Sequence, residues 1–225
     1  MKRLIAVLTM IGMVFFAANA MAMARWHRPG EGNTPEPNPD PVVYDRSNEA
    51  VIMMHGLFGK PRVFNTLKSM LEDEGFDPSL LFAPNVEDNF KMCSWAHIEQ
   101  IEGIIAGLPQ DIGEIHLVGY SRGGTAIVSF MYFSSMQGSI DTVTAAAGAN
   151  NYNCNDVYGP RPDGPPLGDA LFTSIYGIPT DGTVPAALAR LDWALNIEYE
   201  NMNHFTFMSQ EKVLNDIVDA ILAGE

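Results

Sequence analysis

The sequence predicts an α/β protein with about six mostly parallel strands and helices on both faces of the sheet. Short runs that are apolar throughout recur along the chain, as in strands buried from both sides. Between them, apolar residues fall three or four apart, the period of a helix with one buried stripe. In order, strands are expected at 50–54, 80–83, 115–119, 143–147, 171–176 and 197–200. Helical faces are marked by Val63, Phe64, Leu67, Met70 and Leu71, and by Trp95, Ile98, Ile101, Ile104, Ile105 and Leu108 with Ser94 as N-cap. Further helices are expected over 125–136 and on Val213, Leu214, Ile217, Val218, Ile221 and Leu222. Strands alternating with helices build a parallel sheet covered on both sides.

The flanks divide the chain. Residues 1–24 combine basic Lys2 and Arg3, an apolar run from Leu4 to Ala17 and small residues at Ala18, Ala20, Ala22 and Ala24, the pattern of a secretory signal peptide. The apolar run is short for a span of about 20 residues, and no other window approaches that length, so no stable membrane insertion is expected. Residues 25–48, with prolines at 29, 35, 37, 39 and 41, read as a flexible linker or tail, and 49–225 as one domain. The expected product is exported, periplasmic or extracellular.

The formal charge is −14. Loss of the leader takes the bases from 13 to 11 against 27 acids, a net charge of −16, which argues against nucleic acid or an anionic membrane as partner. Cys93 and Cys154 are both expected in loops at the carboxyl edge of the sheet. In an oxidising compartment they are a candidate disulfide, the alternative being two buried thiols. The cysteines and histidines show no metal-ligand spacing, so no metal is expected. The sequence assigns no oligomeric state.

The chemistry is signalled by Gly119-Tyr120-Ser121-Arg122-Gly123, which follows an apolar strand and precedes a helical stretch. A serine between two glycines at a strand-to-helix turn is a nucleophile elbow. A Cβ at 119 or 123 would crowd the flanking strand and helix, and the turn places the Arg122 N–H at a helix start, where it can face an oxyanion. A second such donor is expected from the Leu57 N–H, in the His55-Gly56-Leu57-Phe58-Gly59 loop after the first strand. Asp181, in a Gly/Pro loop just past the fifth strand, is the candidate orienting acid. It is chosen by position over Asp156, Asp163, Asp169 and Asp192. His204, between the last strand and the last helix, is the candidate base. His27 lies in the Pro-rich tail, His55 in the oxyanion loop and His116 inside a strand, while His97 reads as a helix-surface residue.

These segments, with Gly148-Ala149-Asn150 and the strand Thr173-Ser174-Ile175-Tyr176, resemble the small lidless bacterial lipases of the class 2, or lipase A, type. The resemblance runs from about residue 50 to the C-terminus. It implies a minimal α/β-hydrolase fold and cofactor-free hydrolysis of small carboxylic esters or acylglycerols. Ser121 would be nucleophile, Asp181 orienter and His204 base, with Leu57 and Arg122 as backbone oxyanion donors. The residue after the nucleophile is commonly apolar in such lipases, and here it is Arg122. Its guanidinium is expected either to pair with a local carboxylate or to meet an anionic or polar group on the substrate. The segment 151–170, broken by prolines, lacks the periodicity of a helical lid. The alternatives are a polyester, thioester or amide hydrolase with the same machinery, a non-catalytic binding protein on this scaffold, and a structural or adhesion protein.

Overall fold

The computed structural model describes residues 45–224. Its centre is a six-stranded sheet in the order β2-β1-β3-β4-β5-β6, with every neighbouring pair parallel. The strands are β1 (Ala50–Met54), β2 (Leu81–Phe82), β3 (Ile115–Tyr120), β4 (Thr142–Ala146), β5 (Leu171–Ile178) and β6 (Leu195–Glu200). β2 is shorter than its apolar run, because Pro78–Leu80 forms a 3-10 turn capped by Asp77, which accepts from the Ser79 N–H.

Four longer helices cover the sheet: α1 (Asn65–Asp73), α2 (Trp95–Ala106), α3 (Arg122–Phe133) and, as α6, Glu211–Leu222; the single turns α4 (Asn155–Tyr158) and α5 (Ala186–Ala189) lie in loops. Alternation along β1 explains the two layers. Val51 and Met53 pack with Leu67 and Leu71 of α1 and Leu214 and Ile217 of α6, while Ile52 and Met54 pack with Ile98 and Ile101 of α2 and Ile127 of α3. Each layer is a separate core, so every central strand must be apolar on both sides.

Helix boundaries follow from local chemistry. Ser94 caps α2 by accepting from the Ala96 N–H at 3.3 Å. The apolar face of α2 differs from the expected one in a single exchange. Trp95 is exposed and donates its indole N–H to the Val157 carbonyl at 3.1 Å, whereas His97 is fully buried. His97 lies four residues before Ile101 and eight before Ile105, on the same inward line. α3 begins at Arg122, three residues earlier than its apolar pattern suggests, because the chain turns directly from Ser121 into the helix.

The signal peptide expected over 1–24 lies outside the described residues. The linker expected over 25–48 reaches them only at 45–48, and there Arg46 is buried and bridges to Phe76. No helix among the described residues is long and apolar enough to cross a membrane.

Candidate active site

Strand order reverses direction between β1 and β3, and in an open parallel sheet the crevice at the carboxyl ends of such strands is where ligands bind. The loop after β1 carries His55 to Gly59, and the turn after β3 carries Ser121. Ser121 sits at φ 57° and ψ −123°, a strained conformation for a residue with a side chain. The flanking glycines make that turn possible. A Cβ on Gly119 would lie 2.4 Å from the Gly123 carbonyl oxygen, and one on Gly123 would lie 1.8 Å from that of Met54, at the end of β1.

Three side chains meet at this edge. Ser121 Oγ lies 2.9 Å from His204 Nε2, and His204 Nδ1 lies 2.6 Å from Asp181 Oδ2. The other oxygen of Asp181 accepts the N–H groups of Thr183 (2.9 Å) and Val184 (2.7 Å), which fixes the carboxylate plane. Burial acts to raise the Asp181 carboxyl, but the hydrogen bonds from His204, Val184 and Thr183 outweigh it and hold the group below its ordinary value. The acid is therefore ionised at neutral pH and favours a proton on Nδ1, leaving Nε2 as an acceptor toward Ser121. The competitors Asp156, Asp163, Asp169 and Asp192 are all exposed.

His204 is held through both its backbone and its ring. The His204 N–H donates to the Asp181 carbonyl at 2.8 Å, and the Tyr120 hydroxyl donates to the His204 carbonyl at 2.6 Å. The Tyr120 ring also stacks on the imidazole with centroids 5.4 Å apart. Burial, with a contribution from the Asp181 charge, pushes the Tyr120 phenol up to about 12, so it remains a donor.

Arg122 fits neither expectation made from sequence. Its side chain is 1% exposed, sealed from solvent, and meets no carboxylate among its hydrogen-bond partners. The guanidinium instead donates to the carbonyls of His55 (3.0 Å) and Gly56 (3.4 Å), to Asn89 Oδ1 (3.5 Å) and to His97 Nε2 (2.7 Å). It reaches under the loop that bears Leu57 and ties that loop to α2. A guanidinium only donates, so His97 must offer a bare Nε2 and remain neutral. Burial and then the Arg122 charge lower His97 to about 4, and burial lowers Arg122 to about 10. His97 is thus not a surface residue, and its partner explains why a polar ring occupies an apolar face. His55 supports the same loop, with Nδ1 2.9 Å from the Gly56 carbonyl and Nε2 accepting from the Val86 N–H at 3.2 Å.

The Arg122 N–H is the first of α3 and one of the unpaired donors of a helix start. Leu57 follows Gly56, whose backbone abuts Ser121: a Cβ there would lie 2.8 Å from that of Ser121. Phe205, 84% exposed, packs edge-on against His204 with centroids 5.6 Å apart, and Phe58, 76% exposed, lies in the loop after β1. Cys93 and Cys154 form a disulfide that ties the loop after β2 to the segment after β4. A cavity of about 530 Å³ at the starts of β5 and β6 contains none of these residues.

No family model matches the chain. Solved structures share its architecture at low identity. An esterase from Exiguobacterium antarcticum is 13% identical, with 78% of this chain and 92% of that one covered and a TM-score of 0.58. A monoacylglycerol lipase from Paleococcus ferrophilus is 14% identical over 80% and 96% of the two chains, with a TM-score of 0.57. Tomato methylketone synthase I is 12% identical over 80% and 99%, with a TM-score of 0.55. The chain has the α/β-hydrolase fold. That fold hosts several chemistries, so activity must be argued from the site.

Proposed function

We propose that this protein is an exported serine hydrolase of carboxylic esters, a lipase or carboxylesterase, acting through an acyl-enzyme on Ser121. The observation that carries the reading is the continuous hydrogen-bond path from Ser121 through His204 to an ionised Asp181, at a strained strand-to-helix turn. In this mechanism His204 Nε2 takes the hydroxyl proton as Ser121 Oγ bonds to the ester carbonyl carbon. The carbonyl electron pair moves onto oxygen, where the Leu57 and Arg122 amides stabilise it. Collapse of the intermediate breaks the ester C–O bond, and His204 returns the proton to the leaving alcohol. Water, deprotonated by the same imidazole, then releases the acid and restores Ser121. Asp181 holds the ring and stabilises its cationic form.

The exposed Phe58 and Phe205 favour an apolar acyl group at the rim. The esterase and monoacylglycerol lipase of the same fold support ester cleavage as the general chemistry. Export is supported by the Cys93–Cys154 bridge, a pairing that persists in oxidising compartments. A fluorophosphonate probe should label Ser121 stoichiometrically, and a series of nitrophenyl esters with emulsified triglyceride should define the acyl preference. An unlabelled protein, or one inert across the series, refutes the reading.

A further inference from the structure

At the end of the sheet opposite Ser121, three side chains converge at ion-pair distance but outside hydrogen-bonding geometry. Glu49 directly precedes β1, Glu114 directly precedes β3, and His116 follows two residues on along β3. His116 Nε2 lies 3.4 Å from Glu49 Oε2 and 3.7 Å from Glu114 Oε2. The imidazole side chain is 1% exposed, and all three facing atoms are buried without a hydrogen-bond partner. Buried polar atoms are rarely left so, and three orphans pointing at one another require an explanation.

Neither tautomer of the ring supplies one. With its proton on Nδ1, the ring meets Thr142 Oγ1 at 3.0 Å and presents a bare Nε2 lone pair to two carboxylates. With its proton on Nε2, the carboxylate oxygens stand outside hydrogen-bonding geometry. The Arg46 guanidinium lies 3.6 Å from the other oxygen of Glu49, and no hydrogen bond reaches Oε2. A small cation would satisfy all three at once. Tetrahedral bonds of about 2.0–2.2 Å set neighbouring ligand atoms roughly 3.3–3.6 Å apart, close to the 3.4 and 3.7 Å from Nε2 to the two carboxylates, and all three atoms lie within 4.8 Å of one another. An Nδ1–H turned to Thr142 is also the outer contact that orients a metal-binding histidine.

We infer that Glu49, Glu114 and His116 form a three-ligand zinc site, with water in the fourth position, that joins the starts of β1 and β3. The donor set selects the metal. One imidazole with two carboxylates suits zinc, whereas calcium and magnesium take oxygen shells of six or more. The site lies a strand length, about 15 Å, from Ser121, so its effect is on stability.

The test uses the full mature protein, treated with chelator and then titrated with zinc chloride at pH 7.5, followed by calorimetric binding and thermal unfolding. One zinc should bind per chain, and at a hundredfold excess over its dissociation constant the midpoint should rise by about 5–10 °C. Glu114→Gln, on the more accessible carboxylate, should abolish the rise while the variant remains folded, and His116→Gln should do the same. His204→Ala should retain the full rise, which separates this site from the imidazole near Ser121. No thermal shift with zinc, an undiminished shift in Glu114→Gln, or an equal shift with magnesium would overturn the assignment.

Discussion

Ser121 and His204 are hydrogen-bonded at 2.9 Å, and in the proposed mechanism removal of either leaves only the backbone donors to act. Ser121→Ala and His204→Ala should each lower ester kcat/KM by about four to six orders of magnitude with unfolding midpoints preserved. Asp181→Asn should also be severe, because an amide no longer favours the Nδ1 proton. Retention of near-normal turnover in any of the three removes the triad. Arg122 acts differently, through the loop it holds. Arg122→Met keeps the backbone N–H but leaves the His55 and Gly56 carbonyls without their charged donor. It should lower kcat by about ten- to a hundredfold with little change in KM, and cost about 1–3 kcal/mol of stability. A variant with wild-type kcat would show that the Leu57 loop holds its place unaided. His97 carries a pH signature. Its folded value of about 4 lies below the ordinary 6.5, so the unfolded chain takes up the proton first. The stability it contributes is complete above pH 6.5 and is lost as pH falls through about 4, a loss of about 3 kcal/mol. Arg122 and Asp88 are the charged groups that bear on it. Denaturant unfolding between pH 7 and 4 should be flatter in His97→Gln than in wild type.

Among the elements, the packing of β1, β3 and α3 leaves least room for change. The Cβ of Gly123→Ala would overlap the Met54 carbonyl, and neither atom belongs to a flexible side chain. The helix and strand would have to separate at the point where Ser121 is presented. Gly123→Ala should therefore unfold well below wild type or fail to accumulate, whereas alanine at Gly103, which has open space around it, should cost nothing of that size. The Cys93–Cys154 bridge works between loops. It closes 61 residues and should contribute about 4 kcal/mol in the chain-entropy view. Reductant should lower the midpoint by about 10 °C, and peptide mapping should find one cross-linked pair.

At the scale of the whole molecule, access to Ser121 depends on whether a cover masks the site in water. Interfacial activation needs an amphipathic cover that lifts on lipid. The segment after β4 contains a single helical turn, α4, and is fastened at three points. These are the disulfide at Cys154, the Trp95 bond to Val157, and the Tyr158 hydroxyl donating to the Ser94 carbonyl at 2.7 Å. A segment clipped to the start of α2 is a poor lid. Rate plotted against tributyrin concentration should saturate smoothly through the solubility limit. A sharp upward break there would show that a loop closes over Ser121.

The alternation of doubly apolar strands with helical stripes was legible before any fold was known, because a parallel sheet covered on both sides admits few other patterns. β1 was readable residue for residue. The glycines around Ser121, and the order of Ser121, Asp181 and His204 along the chain, were legible because each follows a strand and strands end at one edge. What period and spacing could not reveal were contacts between distant segments. His97 looked like a surface residue because its buried partner, Arg122, lies 25 positions away, although its place four before Ile101 carried the signal. Arg122 drew attention as a departure from the expected residue, yet only the packing of α2 under the β1 loop showed what its guanidinium holds. Glu114 and His116 share a strand face by simple alternation, but Glu49 joins them through the pairing of β1 with β3. The sequence alone determined the apolar faces of the strands and the sheet edge at which Ser121, Asp181 and His204 lie, though not the exchange of Trp95 and His97. The tertiary structure decided which buried polar groups meet, because desolvation makes each of them depend on a partner that no local pattern names.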